Sequence, residues 1–364
     1  MPTTSAPATR RPRFHSLRVA EIVPLTDDAV SIGFEVPPSL AAEYDFVQGQ
    51  HVTVRTSLAG DDVRRSYSIC APAGSGQLRI GVKVLPGGHF SGFAAGGLAV
   101  GDELEVMTPM GKFHTPLDPA NAKHYCAIAA GSGITPILSI VATTLAQEPL
   151  SRVTLLYANR TSRSVMFLEE LEDLKDRHAE RFHLIHVLTR EALDAELLSG
   201  RLDKARLTKI TETLVPAETV DEWFLCGPYG MVMELRDALV EAGVDKSSIH
   251  SELFHVDKTP PVREATAADA GQGSTVAINL DGRRSTFRLA GAGLSVLEAA
   301  LQVRSDAPYA CKGGVCGTCR AKVVDGAVTM DTNYALEPEE LAAGYVLTCQ
   351  SHPTTETVSL DYDA

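Results

Sequence analysis

The stretch Tyr125–Gln147, YCAIAAGSGITPILSIVATTLAQ, carries no charged side chain over 23 residues, which is the length of a membrane-spanning helix. Its interior argues against that use. Gly131, Gly133 and Pro136 fall together between two apolar runs, and Ser and Thr recur through the second. The pattern fits a buried strand over Tyr125–Ala130, a glycine turn, and a helix over Ile137–Gln147 with Pro136 at the first helical position. A strand passing through a glycine turn into a helix is the opening unit of a doubly wound parallel α/β sheet. The residues beyond continue the alternation: strand Val153–Ala158, helix Met166–Lys175 with Phe167, Leu168, Leu171 and Leu174 on one face, strands Phe182–Leu188 and Glu222–Cys226, helix Met231–Glu241 and strand Ile249–Phe254.

Before this stretch, residues 15–115 have a different texture. Short β-branched runs at Leu17–Ile22, Val30–Val36, His51–Thr56, Leu78–Val84 and Glu103–Thr108 are cut by Gly and Pro, which suggests a small antiparallel β-barrel. On the other side, Asp257–Gly273 (DKTPPVREATAADAGQG) has a linker composition without a large apolar residue except Val262. Strands Thr275–Leu280 and Ser285–Leu289, helix Ser295–Gln302 and a Cys-rich loop follow it. The expected domains are therefore 12–118 (barrel), 119–256 (α/β), 257–273 (linker) and 274–364 (a third, α+β unit). A length of 364 residues, about 2.4 times the usual single-domain length, agrees with three.

Charge and cysteine usage narrow the function classes. With 33 Lys+Arg against 46 Asp+Glu the net charge is −13, so no nucleic acid and no anionic membrane is expected as a partner. Seven cysteines, unevenly spaced, make a poor disulfide framework and favour a reducing, cytoplasmic setting with another use for thiols. The segment Met1–Phe14, with Arg10, Arg11 and Arg13 among three prolines and no apolar core, is read as a tail; a transit peptide is the alternative.

Cys311, Cys316 and Cys319 follow the spacing C-x4-C-x2-C, with Cys349 after 29 further residues. This is the ligand spacing of a plant-type [2Fe–2S] centre. Gly313, Gly314 and Gly317 between the cysteines leave room for backbone N–H groups to close around sulfide. Zinc, the rival for four thiolates, usually takes two C-x2-C knuckles, and one is present here. Cys70 and Cys126 read as buried fillers.

The turn Gly131-Ser132-Gly133-Ile134-Thr135-Pro136 offers two glycines for backbone approach to a pyrophosphate at a helix N-terminus. Proline replaces the third glycine of the common dinucleotide fingerprint. Asn159-Arg160-Thr161-Ser162-Arg163-Ser164 places cations and hydroxyls where an NADH site often carries an acid, which favours the 2′-phosphate of NADPH; a solvated loop cluster is the other reading.

Arg65-Ser66-Tyr67-Ser68, at the end of a barrel strand, resembles the R-x-Y-S motif of the ferredoxin–NADP reductase superfamily. Val82-Lys83-Val84 followed by Gly87-Gly88-His89-Phe90-Ser91 is similar to that family's G-x-x-S helix start. The segments Arg64–Cys70 (RRSYSIC), Ala129–Ile137 (AAGSGITPI), Tyr309–Cys319 (YACKGGVCGTC) and Asn333–Cys349 (NYALEPEELAAGYVLTC) make the chain resemble the reductase components of multicomponent oxygenases over nearly its whole length.

The resemblance implies a flavin barrel, a nucleotide domain and a β-grasp-like ferredoxin domain. It assigns Arg65 to the flavin phosphate, Tyr67 to the isoalloxazine face and Ser68 to N5, with Lys83, Gly88, His89, Phe90 and Ser91 completing the flavin set. FAD suits that set better than FMN, because the helix N-terminus favours a pyrophosphate. Gly131, Gly133, Thr135, Pro136, Asn159, Arg160 and Ser164 would bind the nicotinamide nucleotide. Cys226, with Gly227 and Pro228, would lie beside the nicotinamide without forming a covalent bond, and Glu252, with Phe254, would lie near the flavin edge.

The implied route runs from NADPH through FAD to [2Fe–2S] and on to a separate oxygenase. A di-iron epoxidase of an aromatic thioester is the first expectation for that partner, and another steroid or aromatic hydroxylase the second. A redox-sensing or detoxifying flavin and iron–sulfur module is the alternative of another class. Two E-x-x-H runs, Glu180–His183 and Glu252–His255, match di-iron ligand spacing but fall in β-rich segments, so the chain is expected to lack its own oxygen-activating metal. Glu337, Glu339 and Glu340 read either as a docking patch for a basic partner or as a solvated helix start.

Overall fold

A computed structural model describes residues 12–192, 195–254, 273–289 and 293–364. Of the expected linker only Gly273 falls within them, and the tail before Pro12 lies outside. The chain forms two compact units, residues 15–255 and a carboxy-terminal one beginning at 256.

The first unit opens with a curled antiparallel sheet. Its strands are β1 (Phe14–Thr26), β2 (Ala29–Glu35), β3 (His51–Leu58), β4 (Asp61–Ser68), β5 (Leu78–Lys83) and β6 (Glu103–Met107), in the order β4-β3-β6-β1-β2-β5. Just beyond β4, Ile69 bridges to Ile80, and Cys70 N donates to Arg79 O at 2.9 Å, so the two sheet edges meet and the barrel closes. Ile69 and Ile80 are fully buried with Leu17, Val19, Ile32, Val52 and Val106, and each such side chain contributes about 1.5–3 kcal/mol. Helix α1 (His89–Gly96) caps the barrel through buried Phe90 and Ala94.

Strand β4 is absent from the apolar alternation because Asp61, Asp62, Arg64 and Arg65 are charged and the hydroxyls Ser66 and Ser68 flank Tyr67. Register, not composition, makes it a strand: it pairs with β3 from His51–Ser68 through Leu58–Asp61.

The α/β half follows with β7 (His124–Ala130), α2 (Ile134–Gln147), β8 (Arg152–Asn159), α3 (Leu168–Arg177), β9 (Phe182–Leu188), α4 (Lys204–Thr213), β10 (Glu222–Gly227), α5 (Tyr229–Glu241) and β11 (Ile249–Leu253). All five strands are parallel in the order β11-β10-β7-β8-β9. The chain therefore winds one way from β7 to β8 and β9 and the other way to β10 and β11. The switch point, where such sheets bind ligands, lies between β7 and β10.

Three local expectations change. Helix α2 starts at Ile134, so Pro136 sits at the third helical position, where its missing N–H is still one of the unpaired first-turn groups. Helix α3 starts at Leu168, two residues later than expected, because Phe167 takes a left-handed φ of 57° at its N-cap. Helix α4 goes unmarked by apolar periodicity: only Leu207 and Ile210 are buried, and Asp203 caps it by accepting from Arg206 N at 2.9 Å. The uncharged stretch resolves into a seven-residue strand and a fourteen-residue helix, and among the described residues no helix is long and apolar enough to cross a membrane.

The second unit has β12 (Ser274–Leu280), β13 (Arg283–Leu289), α6 (Val296–Val303), β14 (Arg320–Asp325), β15 (Val328–Met330), α7 (Pro338–Ala342), β16 (Tyr345–Leu347), β17 (Ser351–Pro353) and β18 (Thr357–Asp361). The five-stranded sheet runs β13-β12-β18-β14-β16, with β12 and β18 parallel at its centre. Ser295 and Glu298 form a capping box at the start of α6, which buries Val296, Leu297, Ala299 and Ala300. This is the β-grasp-like arrangement expected of a ferredoxin domain.

One glycine governs how the first unit closes. A Cβ on Gly133 would meet the carbonyl oxygen of Cys226 at 2.1 Å, and backbone cannot yield there as a side chain can. Gly133→Ala is expected to cost about 1–3 kcal/mol or prevent folding of this unit. Gly230→Ala in α5, with nothing within 4 Å of the new methyl group, is expected to be neutral or to stabilise by up to about 1 kcal/mol. Thermal denaturation of the two variants checks the contrast, and equal stability would refute the packing constraint.

Candidate functional site

The switch point gathers three strand ends. Cys226, near the end of β10, is in register with Ala129 of β7 on one side and Glu252 of β11 on the other. Beyond β7, Gly131 turns the chain with φ of +53° into a short 3-10 turn that leads directly into α2. Pro228 is the N-cap of α5, so α2 and α5 both begin at this crevice.

The barrel supplies the fourth side. Ser68 Oγ donates to Glu252 Oε2 at 2.9 Å, joining two residues 184 positions apart. His51 lies opposite Ser68 in the β3–β4 register, and its Nδ1 is 3.9 Å from Glu252 Oε1. Thr135 and Phe167 pack over Gly81 of β5, where a Cβ would lie 2.7 Å from Thr135 Cγ2. The barrel thus rests on the start of α2 and the entry to α3.

Burial sets the electrostatics of this group. Glu252, its side chain 15% exposed, is pushed up to about 7 by desolvation, with the Ser68 hydrogen bond pulling the other way. Burial lowers His51 to about 4, so it stands neutral beside Glu252 at physiological pH and the two do not form an ion pair. The Cys226 thiol is fully buried and held well above its usual range by desolvation and the nearby Glu252 carboxylate. It is a neutral thiol, not an activated nucleophile. Cys70 and Cys126 are likewise buried, as expected for fillers.

The expected flavin residues separate into two groups. Arg65 is exposed and donates to Arg64 O at 2.7 Å, and among the described residues no carboxylate pairs with it. Tyr67 is half-buried, its ring 5.4 Å from that of Phe90, and the start of α1 at Gly88 and His89 receives no side-chain cap. An exposed guanidinium with no carboxylate partner among the described residues, a supported aromatic face and an uncapped helix N-terminus suit a flavin dinucleotide. Phe90 packs in the barrel core behind Tyr67. Ser91 fastens the turn by accepting from Leu85 N and donating to Gly88 O, and Lys83 is held by Asp28 at 3.1 Å.

The nucleotide residues divide in the same way. Gly131 serves the turn and Gly133 the backbone packing on Cys226, so the second glycine answers to the protein before any pyrophosphate. Thr135 is buried and donates to Ser132 O at 3.0 Å. Gly227 packs under Met231. Ser164 forms a capping box with Thr161, while Arg160 is exposed and Asn159 is buried with Nδ2 unpartnered among the described residues. Sequence reasoning missed Glu191, which comes from the segment after β9 and accepts from Ser162 N at 3.1 Å, so an acid from a distant segment lies against this loop. It also missed His51, whose role depends on cross-strand register and leaves no mark in the local sequence.

In the second unit Cys311 and Cys316 are half-buried, and Cys319 and Cys349 buried. Lys312, Gly314 and Gly317 all take positive φ, which curls the loop tightly. The thiols interact in pairs, Cys311 with Cys316 and Cys319 with Cys349. The hydrogen bond with Cys316, helped by the N–H groups of Gly313 and Val315, lowers the Cys311 thiol against the effect of burial. Among the described residues no three His, Cys, Asp or Glu side chains converge on a single ion. Four thiols brought together by a tightly curled loop and Cys349 would suit a [2Fe–2S] centre.

Of the remaining candidates, Glu180 precedes β9, with His183 in that strand, and Glu252 lies in β11, while His255 of the second E-x-x-H run lies outside the described residues. Glu337 and Glu340 cap the start of α7, and Glu340 pairs with Arg320 at 2.6 Å, which favours the helix-start reading of the acidic stretch.

Residues 16–115 match the oxidoreductase FAD-binding domain family, 127–237 the oxidoreductase NAD-binding domain family and 278–354 the 2Fe-2S iron-sulfur cluster binding domain family. The chain is 45% identical to a subunit of 1,2-phenylacetyl-CoA epoxidase from Escherichia coli, over 96% of this chain and 98% of the relative. It is 34% identical to the ferredoxin reductase component of 3-ketosteroid-9-alpha-monooxygenase of Mycobacterium tuberculosis, over 95% of each. The fold is shared with phthalate dioxygenase reductase at a TM-score of 0.59 and 24% identity, covering 96% of this chain and 98% of that one.

A carboxyl held at about 7 when folded, against 4.5 ordinarily, binds more protons in the folded state across that interval. Its contribution to stability therefore falls as pH rises from 4.5 to about 7 and stays low above. Glu252→Gln keeps the shape and removes the charge. The variant is expected to match the parent near pH ~5 and exceed it near pH ~8 by on the order of 1–3 kcal/mol. Urea midpoints at the two pH values check this; the same difference at both would mean that Glu252 titrates normally.

Proposed function

The chain belongs to the flavin and [2Fe–2S] reductase components of multicomponent oxygenases, within the ferredoxin–NADP reductase superfamily, and on that premise we propose that it draws electrons from NADPH for a separate di-iron oxygenase acting on phenylacetyl-CoA. The single observation that carries the catalytic assignment is the Ser68–Glu252 hydrogen bond, which brings the flavin motif of the barrel to the switch point of the nucleotide half.

When bound, FAD and the [2Fe–2S] centre turn a hydride pair into electrons delivered one at a time. This chain's residues provide the setting. Arg65 and the α1 start at Gly88 and His89 neutralise phosphate charge, and Tyr67 offers a face backed by Phe90. Ser68 and Glu252 hold a proton next to each other in a site with little water, and a carboxyl near 7 can release or take it at physiological pH. Cys226, kept neutral by burial, orients a nicotinamide ring by contact, and Gly227 and Pro228 shape the floor beneath it. Cys311, Cys316, Cys319 and Cys349 ligate the cluster. Seven cysteines without a disulfide support a cytoplasmic setting.

NADPH preference rests on exposed Arg160, with Asn159 and Ser164 beside it. Glu191, from the segment after β9, meets this loop at Ser162 and opposes Arg160, so the preference is a balance of charges. Arg160→Ala is expected to lower kcat/KM for NADPH by about tenfold while changing that for NADH less, since one charge-assisted phosphate contact is worth about 1.5–3 kcal/mol when desolvated and less when exposed. An unchanged ratio of the two coenzymes would move the phosphate site elsewhere.

The order of carriers is tested by Cys316→Ser. The variant is expected to keep its NADPH-to-ferricyanide activity and lose cytochrome c reduction. Equal loss of both in a folded, flavin-loaded protein would overturn the order. For the partner, NADPH oxidation should rise on adding the phenylacetyl-CoA epoxidase oxygenase together with its thioester, and a failure of both to stimulate would assign the chain to another oxygenase or to a sensing role.

A further inference from the structure

We propose that the side-chain amide of Gln350 is a potential-setting hydrogen-bond donor to the Cys349 ligand sulfur, oriented for that purpose by Thr332. The proposal rests on the reading of Cys349 as a cluster ligand.

Gln350 follows Cys349 directly, and its side chain is turned inward, 3% exposed. A glutamine amide can face either way, and here its neighbours choose. Thr332 Oγ1 donates to Gln350 Oε1 at 2.8 Å, so the carbonyl end is taken. The NH2 end then faces three acceptors: Lys312 O at 2.9 Å, Cys349 O at 3.1 Å and Cys349 Sγ at 3.5 Å. Two protons serve three acceptors, so one N–H goes to Lys312 O and the other is shared between the carbonyl and the sulfur of Cys349. Reversing the amide would set its oxygen against two carbonyls and the Cys349 sulfur and leave the threonine hydroxyl facing NH2. The buried site therefore admits one orientation.

The same amide joins the two ends of the ligand set. Lys312 follows the first ligand and takes a left-handed φ of 52°, a conformation that must be held in place for a residue with a Cβ. Its carbonyl is secured by Gln350. Gly314, at φ of 76°, lies against both Gln350 and Thr332, where a Cβ would come within 3.3 Å of each.

A hydrogen bond to a ligand sulfur stabilises the reduced, more negative centre over the oxidised one and raises its potential. Burial strengthens the effect, since water does not compete for the sulfur. Gln350 is thus a positioning residue with an electronic consequence: it places the loop of Cys311 and withdraws charge from Cys349. A purely structural role would alter cluster retention and stability and leave the potential of the loaded protein alone.

The test is a potentiometric titration of the holoprotein, following the cluster by EPR, in Gln350→Met and in Thr332→Val. Gln350→Met keeps length and removes both donors. Its midpoint is expected to fall so that the equilibrium for one-electron reduction drops about threefold to tenfold, tenfold being about 59 mV. Thr332→Val leaves the glutamine but frees its orientation, and a smaller drop in the same direction is expected. A cluster-loaded Gln350→Met protein with an unchanged midpoint overturns the proposal. Should that variant not hold its cluster, Thr332→Val decides, and an unchanged midpoint there overturns it equally. A parent protein without a [2Fe–2S] EPR signal would sink the ligand assignment itself, which separates the two failures.

Discussion

The first unit depends on a contact between two pieces of backbone. The 3-10 turn after β7 lies so close over the end of β10 that only a hydrogen fits on Gly133, with the Cys226 carbonyl 2.1 Å from where a methyl group would sit. That approach brings the starts of α2 and α5 to one crevice and closes Cys226 off from water. It also fixes where Glu252 stands, one strand further along in register with Cys226. The barrel then docks on the platform so made, through Gly81 against Thr135 and Phe167, and delivers Ser68 to Glu252.

Once these groups are enclosed, desolvation decides their chemistry. The same burial that raises Glu252 to about 7 lowers His51 to about 4 and keeps Cys226 protonated. An acid, a base and a thiol that would all be charged or partly charged in water near neutrality are thereby kept neutral or near the midpoint of titration. Such a site favours movement of a proton and orientation of a ring over nucleophilic attack. In the second unit the opposite device operates. The hydrogen bond between Cys316 and Cys311, with the N–H groups of Gly313 and Val315, lowers the Cys311 thiol although the thiols are largely enclosed.

Much of this was legible in the sequence wherever function is written in contiguous residues. The cysteine spacing, the Arg65–Ser68 motif and the glycine turn each specify a local conformation and a chemistry together, and the uncharged run Tyr125–Gln147 divided correctly into strand and helix. Polar β4 and weakly periodic α4 were harder, because a charged strand exists only by virtue of its partner β3, and α4 by virtue of a cap and two buried side chains. Phe90, Ser91, Lys83, Thr135 and Ser164 satisfy neighbours within the protein, and a motif does not reveal which of its members face inward.

Local spacing along the chain was enough to specify the set of parts: a flavin barrel, a nucleotide domain and a ferredoxin domain, with four candidate thiol ligands and a thiol at the end of a central strand. Spacing carries that information because each part binds its group through residues a few positions apart. The couplings between residues distant in sequence came only with the folded chain. Ser68 meets Glu252 across 184 positions, His51 faces both through strand register, and Gln350 joins Cys349 to the loop of Cys311 after Thr332 fixes its orientation. The physical reason is that the burial of a charge and the direction of a hydrogen bond are properties of an enclosure, and the enclosure exists only after strands from separate segments have paired.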